Sequence, residues 1–113
     1  MTRKVTNECN YDSYKGLLVS YVVSYYIGTN KACLKVGQTQ NLNKRIRDYM
    51  SANNYSSCVI HYFIAHDTRE QNIKKEDMFR DYFISKGGTL KGNDQILGYR
   101  FTKNDLNNLK AFQ

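Results

Sequence analysis

The stretch Leu17-Leu-Val-Ser-Tyr-Val-Val-Ser-Tyr-Tyr-Ile27 constrains the fold more than any other part of the chain. It carries no charge, and β-branched and aromatic residues fill most of it, so it reads as a strand rather than a helix. Gly28-Thr29-Asn30-Lys31 follows with turn chemistry, and Ala32-Cys-Leu-Lys-Val-Gly37 reads as the returning strand. A hairpin closed about that turn places Tyr25 opposite Lys35. No apolar run approaches the roughly 20 residues that span a bilayer, which argues against a membrane protein.

The remaining elements follow from periodicity and caps. Leu42, Ile46 and Met50 recur at helical spacing, so a helix is expected from about Asn41 to Asn53, with Arg45 and Tyr49 on a neighbouring stripe. Ser57 to Ala65 reads as a third strand. Thr68 and Gln71 form a capping box opening a helix that Gly87 and Gly88 close. Ile73, Phe79 and Phe83 mark its buried side, and Glu76 falls on or beside that stripe, an unusual place for a carboxylate. Thr102 and Asp105 begin a short last helix carrying Leu106, Leu109 and Phe112. The expectation is an α/β fold: a small three-stranded antiparallel sheet flanked by helices. The 113 residues form one domain, with residues 1–16 as a loose arm or short helix and 94–113 as a C-terminal extension.

Charge is the first clue to function. Seventeen Lys and Arg stand against ten Asp and Glu, a net charge of +7, which favours an anionic partner, nucleic acid ahead of a membrane surface. Cys9, Cys33 and Cys58 are odd in number and widely spaced, which suits neither a disulfide framework nor a zinc site. His61 and His66 are expected on opposite faces of a strand and its exit. An intracellular setting (cytoplasmic or nuclear) is therefore expected, and Met1-Thr-Arg-Lys opens no secretory signal pattern.

The specific pattern is Lys35-Val-Gly-Gln-Thr-Gln-Asn-Leu-Asn-Lys-Arg45: a strand ending in Lys-Val-Gly, a polar turn, and a helical arginine ten positions after the lysine. Tyr49 stands four residues beyond Arg45, and Val23-Ser-Tyr-Tyr-Ile27 supplies a tyrosine on the preceding strand. This ordered set resembles the GIY-YIG nuclease superfamily, in the branch where lysine replaces the second-motif tyrosine. The string Tyr25-Tyr26-Ile27-Gly28 is not that second motif, because Val36 rather than arginine stands ten residues after Tyr26. Val23 and Ser24 depart from the glycine and isoleucine of the first motif.

The resemblance implies a metal-dependent endonuclease acting on DNA, with Tyr25, Lys35, Arg45, Tyr49 and Glu76 in the active site and Asn93 as the family's downstream asparagine. It assigns Lys35 as the general base and gives Glu76 the divalent metal, Mg²⁺ or Mn²⁺. The residue types suit that chemistry. Arg45 offers a planar fork to phosphate oxygens, and one carboxylate with waters and a phosphate is a normal Mg²⁺ arrangement. Lys35 serves as a base only as the neutral amine, a form that burial, Arg45 and a bound cation would each favour. Lys74, Lys75, Lys86 and Lys91 are candidate backbone contacts. The plainer readings stay open. Glu76 can pair with Arg80, Tyr25 and Tyr49 can be core residues, Asn93 can serve a turn, and Glu70 is a rival metal ligand better explained by the helix dipole. The alternative to an enzyme is an inactive nucleic-acid-binding module on the same fold, with a protein-interaction domain as a third class. Specificity would come from the domain surface, from an oligomer or from a targeting partner.

Overall fold

A computed structural model describes residues 16–111 and, for the backbone alone, residues 3–5. Nine elements follow in order: β1 (Arg3–Val5), β2 (Leu18–Ile27), β3 (Asn30–Thr39), α1 (Leu42–Asn53), β4 (Ser57–His66), α2 (Arg69–Ser85), β5 (Thr89–Lys91), β6 (Gln95–Leu97) and α3 (Lys103–Lys110). All strands join one antiparallel sheet in the order β1-β4-β2-β3-β6-β5. The fold is α/β as expected, and the three expected strands form its centre, but among the described residues the sheet has six strands rather than three. β1 lies within the expected arm, and β5 and β6 form a hairpin after α2. Each is three residues long, too short to show an alternation of period two. Cys9 and Phe112 lie outside the described residues. Among the described residues, no helix is long and apolar enough to cross a membrane.

β2 is buried from Val19 to Tyr25 because both of its faces are covered. On one face α1 seats Leu42, Ile46 and Met50 against Val19, Tyr21, Val23 and Tyr25. On the other, Phe79 and Phe83 of α2 and Leu109 of α3 pack on Val22, Leu34 and Val36. A strand buried on both sides reads as a continuous apolar run, which is what Leu17 to Ile27 displays.

The hairpin register differs from the expected one. Ile27 pairs with Asn30, so the turn is the two-residue Gly28-Thr29, and a bulge beside Tyr25 and Tyr26 leaves Ala32 as the extra residue. Lys35 therefore lies opposite Val23, Tyr25 opposite Cys33, and Tyr21 opposite Gly37. The buried side of α2 is also corrected. Ile73 is exposed, and Asn72 takes its place inside. Asn72, Glu76, Phe79 and Phe83 make one stripe at helical spacing, polar in its first half and apolar in its second.

Two buried polar groups fasten the α3 side. Asp105 accepts hydrogen bonds from the hydroxyls of Tyr82 (2.6 Å) and Tyr99 (2.7 Å) and from the Thr102 N–H (2.8 Å). Burial alone would raise its pKa, but these bonds outweigh it and hold the carboxyl below its ordinary range. His61 is the extra residue of a bulge in β4, with Nε2 2.7 Å from Ser24 Oγ and its ring stacked on Phe101. Burial, with a smaller contribution from Lys31, lowers its pKa to about 4.

The unfolded chain therefore protonates His61 first as the pH falls. Its contribution is full above about pH 6.5, shrinks toward pH 4 and is flat below, a loss on the order of 3 kcal/mol. Urea unfolding between pH 7.5 and 4 should show this decline in the native chain and a flatter one in His61→Gln. Equal slopes would contradict the assignment.

Candidate active site

The short β6 opens the candidate site. It pairs with β3 only at Leu34 and Lys35, and the Val36 N–H reaches the Asp94 carbonyl at 3.0 Å. Among the described residues, β3 has no strand partner on that side beyond Val36. There lies a cleft of about 520 Å³, lined by Tyr21, Gly37, Gln38, Arg45, Arg69, Asn72, Glu76 and Asp94, among others. The gap lets groups from both faces of the sheet meet. Tyr21 and Arg45 come from the α1 face, Asn72 and Glu76 from α2. Gly37 makes the approach possible, since a Cβ built there would lie 2.5 Å from Tyr21 Cζ, closer than atoms can pack.

Tyr21 is buried, and its hydroxyl has no hydrogen-bond partner among the described residues. Burial pushes the phenol well above its ordinary pKa, against a smaller opposing effect of Arg45, so it stays protonated and can donate. The Arg45 guanidinium is exposed and makes no hydrogen bond or ion pair among the described residues, nor does that of Arg69. Glu76 is held. Its Oε1 accepts from Gln38 Nε2 at 3.4 Å and lies 3.2 Å from Arg80 Nη2. Arg80 also binds Asp77 Oδ1 (2.6 Å) and the Asn93 carbonyl (2.8 Å), tying α2 to the β5–β6 turn.

A second cleft of about 470 Å³ shares Thr39, Asn41 and Arg45 with the first and is also lined by Lys35, Lys44 and Tyr49. Arg45 thus stands at the junction of the two. Lys35 is buried, with Nζ 3.0 Å from Asp94 Oδ2 and 3.6 Å from the centre of the Tyr49 ring. Both contacts use the positive charge of the ammonium. The Tyr49 hydroxyl accepts a hydrogen bond from Gln95 Nε2, which fixes the ring under the lysine.

Sequence reasoning placed Lys35, Arg45, Tyr49 and Glu76 around this region, and the fold brings all four to the paired clefts. Tyr25 is not among them. It is fully buried in an aromatic cluster, its ring 4.6 Å from that of Tyr49 and 5.2 Å from that of Tyr55, and it lines neither cleft. Tyr21 holds the cleft position instead. The signal for it was present, because Val19-Ser-Tyr21 and Val23-Ser-Tyr25 are the same tripeptide four residues apart. Asn93 is exposed in the turn, where its carbonyl serves Arg80, and its neighbour Asp94 enters the cleft. Arg69 was also missed. Lys74 and Lys75 border a separate cleft with His66. Glu70 is exposed in the first turn of α2, outside the cleft, as a dipole-stabilising residue would be.

Among the described residues, no three His, Cys, Asp or Glu side chains cluster to hold a metal by themselves. Glu76 nevertheless fits a hard divalent cation. Its Oε1 is committed to Gln38 and Arg80, while Oε2 carries no hydrogen bond among the described residues at a polar cleft wall. Mg²⁺ commonly rests on one carboxylate, waters and a substrate phosphate.

Gly37→Ala should lower stability by about 1–3 kcal/mol in urea unfolding, because Tyr21 must leave its seat; unchanged stability would contradict the close packing of the two. No family model, curated protein or solved structure matches this chain.

Proposed function

We propose that the chain is a metal-dependent endonuclease of GIY-YIG type, hydrolysing DNA phosphodiester bonds at the paired clefts. The observation that carries this reading is the Arg45 guanidinium, unpaired among the described residues, at the junction of the cleft lined by Glu76 and the cleft lined by Lys35. In this reading Arg45 grips the non-bridging oxygens of the scissile phosphate, where negative charge grows in the transition state. Tyr21 takes the role first assigned to Tyr25, donating its hydroxyl proton to a phosphate oxygen or to the attacking water. Lys35, as the free amine, accepts the proton that water loses as its oxygen bonds to phosphorus. Asp94 and the Tyr49 ring hold the resting ammonium in place, and it must release a proton before it serves as the base. Glu76 would hold Mg²⁺ or Mn²⁺, which when bound polarises the phosphate and stabilises the leaving oxygen. Arg69 and the outlying Lys74 and Lys75 extend the cationic surface available to a DNA backbone.

One observation favours the second reading, a binding module without catalysis. Lys35 and Glu76 are both paired, with Asp94 at 3.0 Å and Arg80 at 3.2 Å, as structural ion pairs would be. The two readings separate in one experiment. With Mg²⁺ or Mn²⁺, the enzyme reading expects nicking of supercoiled plasmid that Glu76→Ala reduces about a hundredfold or more. The binding reading expects salt-sensitive DNA association with no cleavage. Failure to cut any duplex or single strand would overturn the first, and failure to bind at low salt would overturn both.

A further inference from the structure

Ser20 and Asn72 are polar yet 0% and 1% exposed, and the reaction proposed above uses neither. Buried polar groups are costly unless bonded, so their bonds reveal their purpose. Ser20 Oγ lies 2.5 Å from Asn72 Oδ1, 2.9 Å from the Asn72 carbonyl and 3.2 Å from His66 Nε2. Asn72 Nδ2 donates to Gln38 Oε1 at 3.3 Å, and Gln38 Nε2 donates to Glu76 Oε1 at 3.4 Å. A line of hydrogen bonds thus runs from His66 through the sheet face to the cleft carboxylate.

Proton counting gives the line a direction. A hydroxyl has one proton, and the short approach to Asn72 Oδ1 takes it, so His66 Nε2 is the donor toward Ser20. With Oδ1 committed to Ser20, Asn72 offers Gln38 only its NH₂ group. Gln38 must then present its carbonyl to Asn72 and its own NH₂ to Glu76. The opposite orientation would set a carbonyl oxygen against the carboxylate. Gln38 and Arg80 together occupy Glu76 Oε1, which leaves Oε2 for an incoming ligand.

We infer that Asn72 is a positioning residue for Glu76, acting through Gln38, with Ser20 and His66 fixing the sense of its amide. The catalytic meaning of Glu76 rests on the endonuclease reading; the orientation of Gln38 does not. Asn72→Asp is the sharpest test, because it keeps the shape and the acceptor for Ser20 but removes the donor to Gln38.

The first measurement is the side-chain amide signal of Gln38 in the full chain by ¹H–¹⁵N NMR. Glu76→Gln should move that signal in the otherwise native chain and move it by less than half as much in an Asn72→Asp background. An equal displacement in both would overturn the relay. Should Asn72→Asp fail to fold, Ser20→Ala, which frees the amide from the other end, should reduce the displacement in the same way. The second measurement is plasmid nicking, where Asn72→Asp should lower kcat about tenfold with KM for DNA unchanged. An unchanged kcat would overturn the positioning role. A native chain that cuts nothing would defeat the endonuclease reading alone, with the amide signal still deciding the relay.

Discussion

Beyond Val36, β3 has no strand partner on one side among the described residues, while remaining in register with β2 on the other. That local loss of pairing is the constraint from which the candidate site follows. A fully paired strand would separate the α1 face from the α2 face. Here the sheet has a notch, and Gly37, with no side chain, lets Tyr21 lean across it. Arg45 arrives from the first turn of α1, placed by the Asn41 cap, whose side chain accepts from the Lys44 N–H. Glu76 arrives from the second turn of α2, placed by the Thr68 and Gln71 capping box. Two short-range signals, each worth about 1 kcal/mol, thereby aim the charged groups at one opening.

The charges around that opening divide into two kinds. Lys35, Glu76, Arg80 and Asp94 are half-buried or buried and tied to one another or to the β5–β6 turn. Arg45 and Arg69 are exposed and unpaired among the described residues. Paired charges in a desolvated wall keep their geometry, whereas unpaired cations at its rim are free to meet an anion. On the reading proposed above, fixed carboxylate and ammonium groups beside a guanidinium unpaired among the described residues would face the phosphodiester, and the positive rim accords with the +7 charge of the chain.

Much of the frame was legible in the sequence. The three long strands, the caps at Thr68 and Thr102 and the α1 stripe were readable from spacing and residue type, and the family resemblance named Lys35, Arg45, Tyr49 and Glu76, which the fold brings to the paired clefts. What was not legible has physical causes. β5 and β6 are too short to carry a periodic signal, so the notch they leave beside β3 was invisible. Ile73 looked buried because it is apolar, yet the turn of α2 it occupies faces a polar cleft, and Asn72 lies inside. The repeated Val-Ser-Tyr offered two tyrosines on the same strand face. The choice between them depended on a two-residue turn and a bulge that set the register. The partnership of Lys35 with Asp94 spans 59 residues, beyond any local pattern.

The exchange of Tyr25 for Tyr21 is the sharpest consequence of the notch beside β3. Both phenols are buried without a hydrogen-bond partner among the described residues, both lie on one strand, and only Tyr21 borders the cleft. The most direct measurement is plasmid nicking with Mg²⁺ by Tyr21→Phe and Tyr25→Phe, each of which removes a single hydroxyl. A site at the β3 notch predicts that Tyr21→Phe loses most of the activity while Tyr25→Phe keeps it. Activity that survives in Tyr21→Phe and disappears in Tyr25→Phe would contradict that placement, and a native chain that cuts no DNA would contradict the reaction itself.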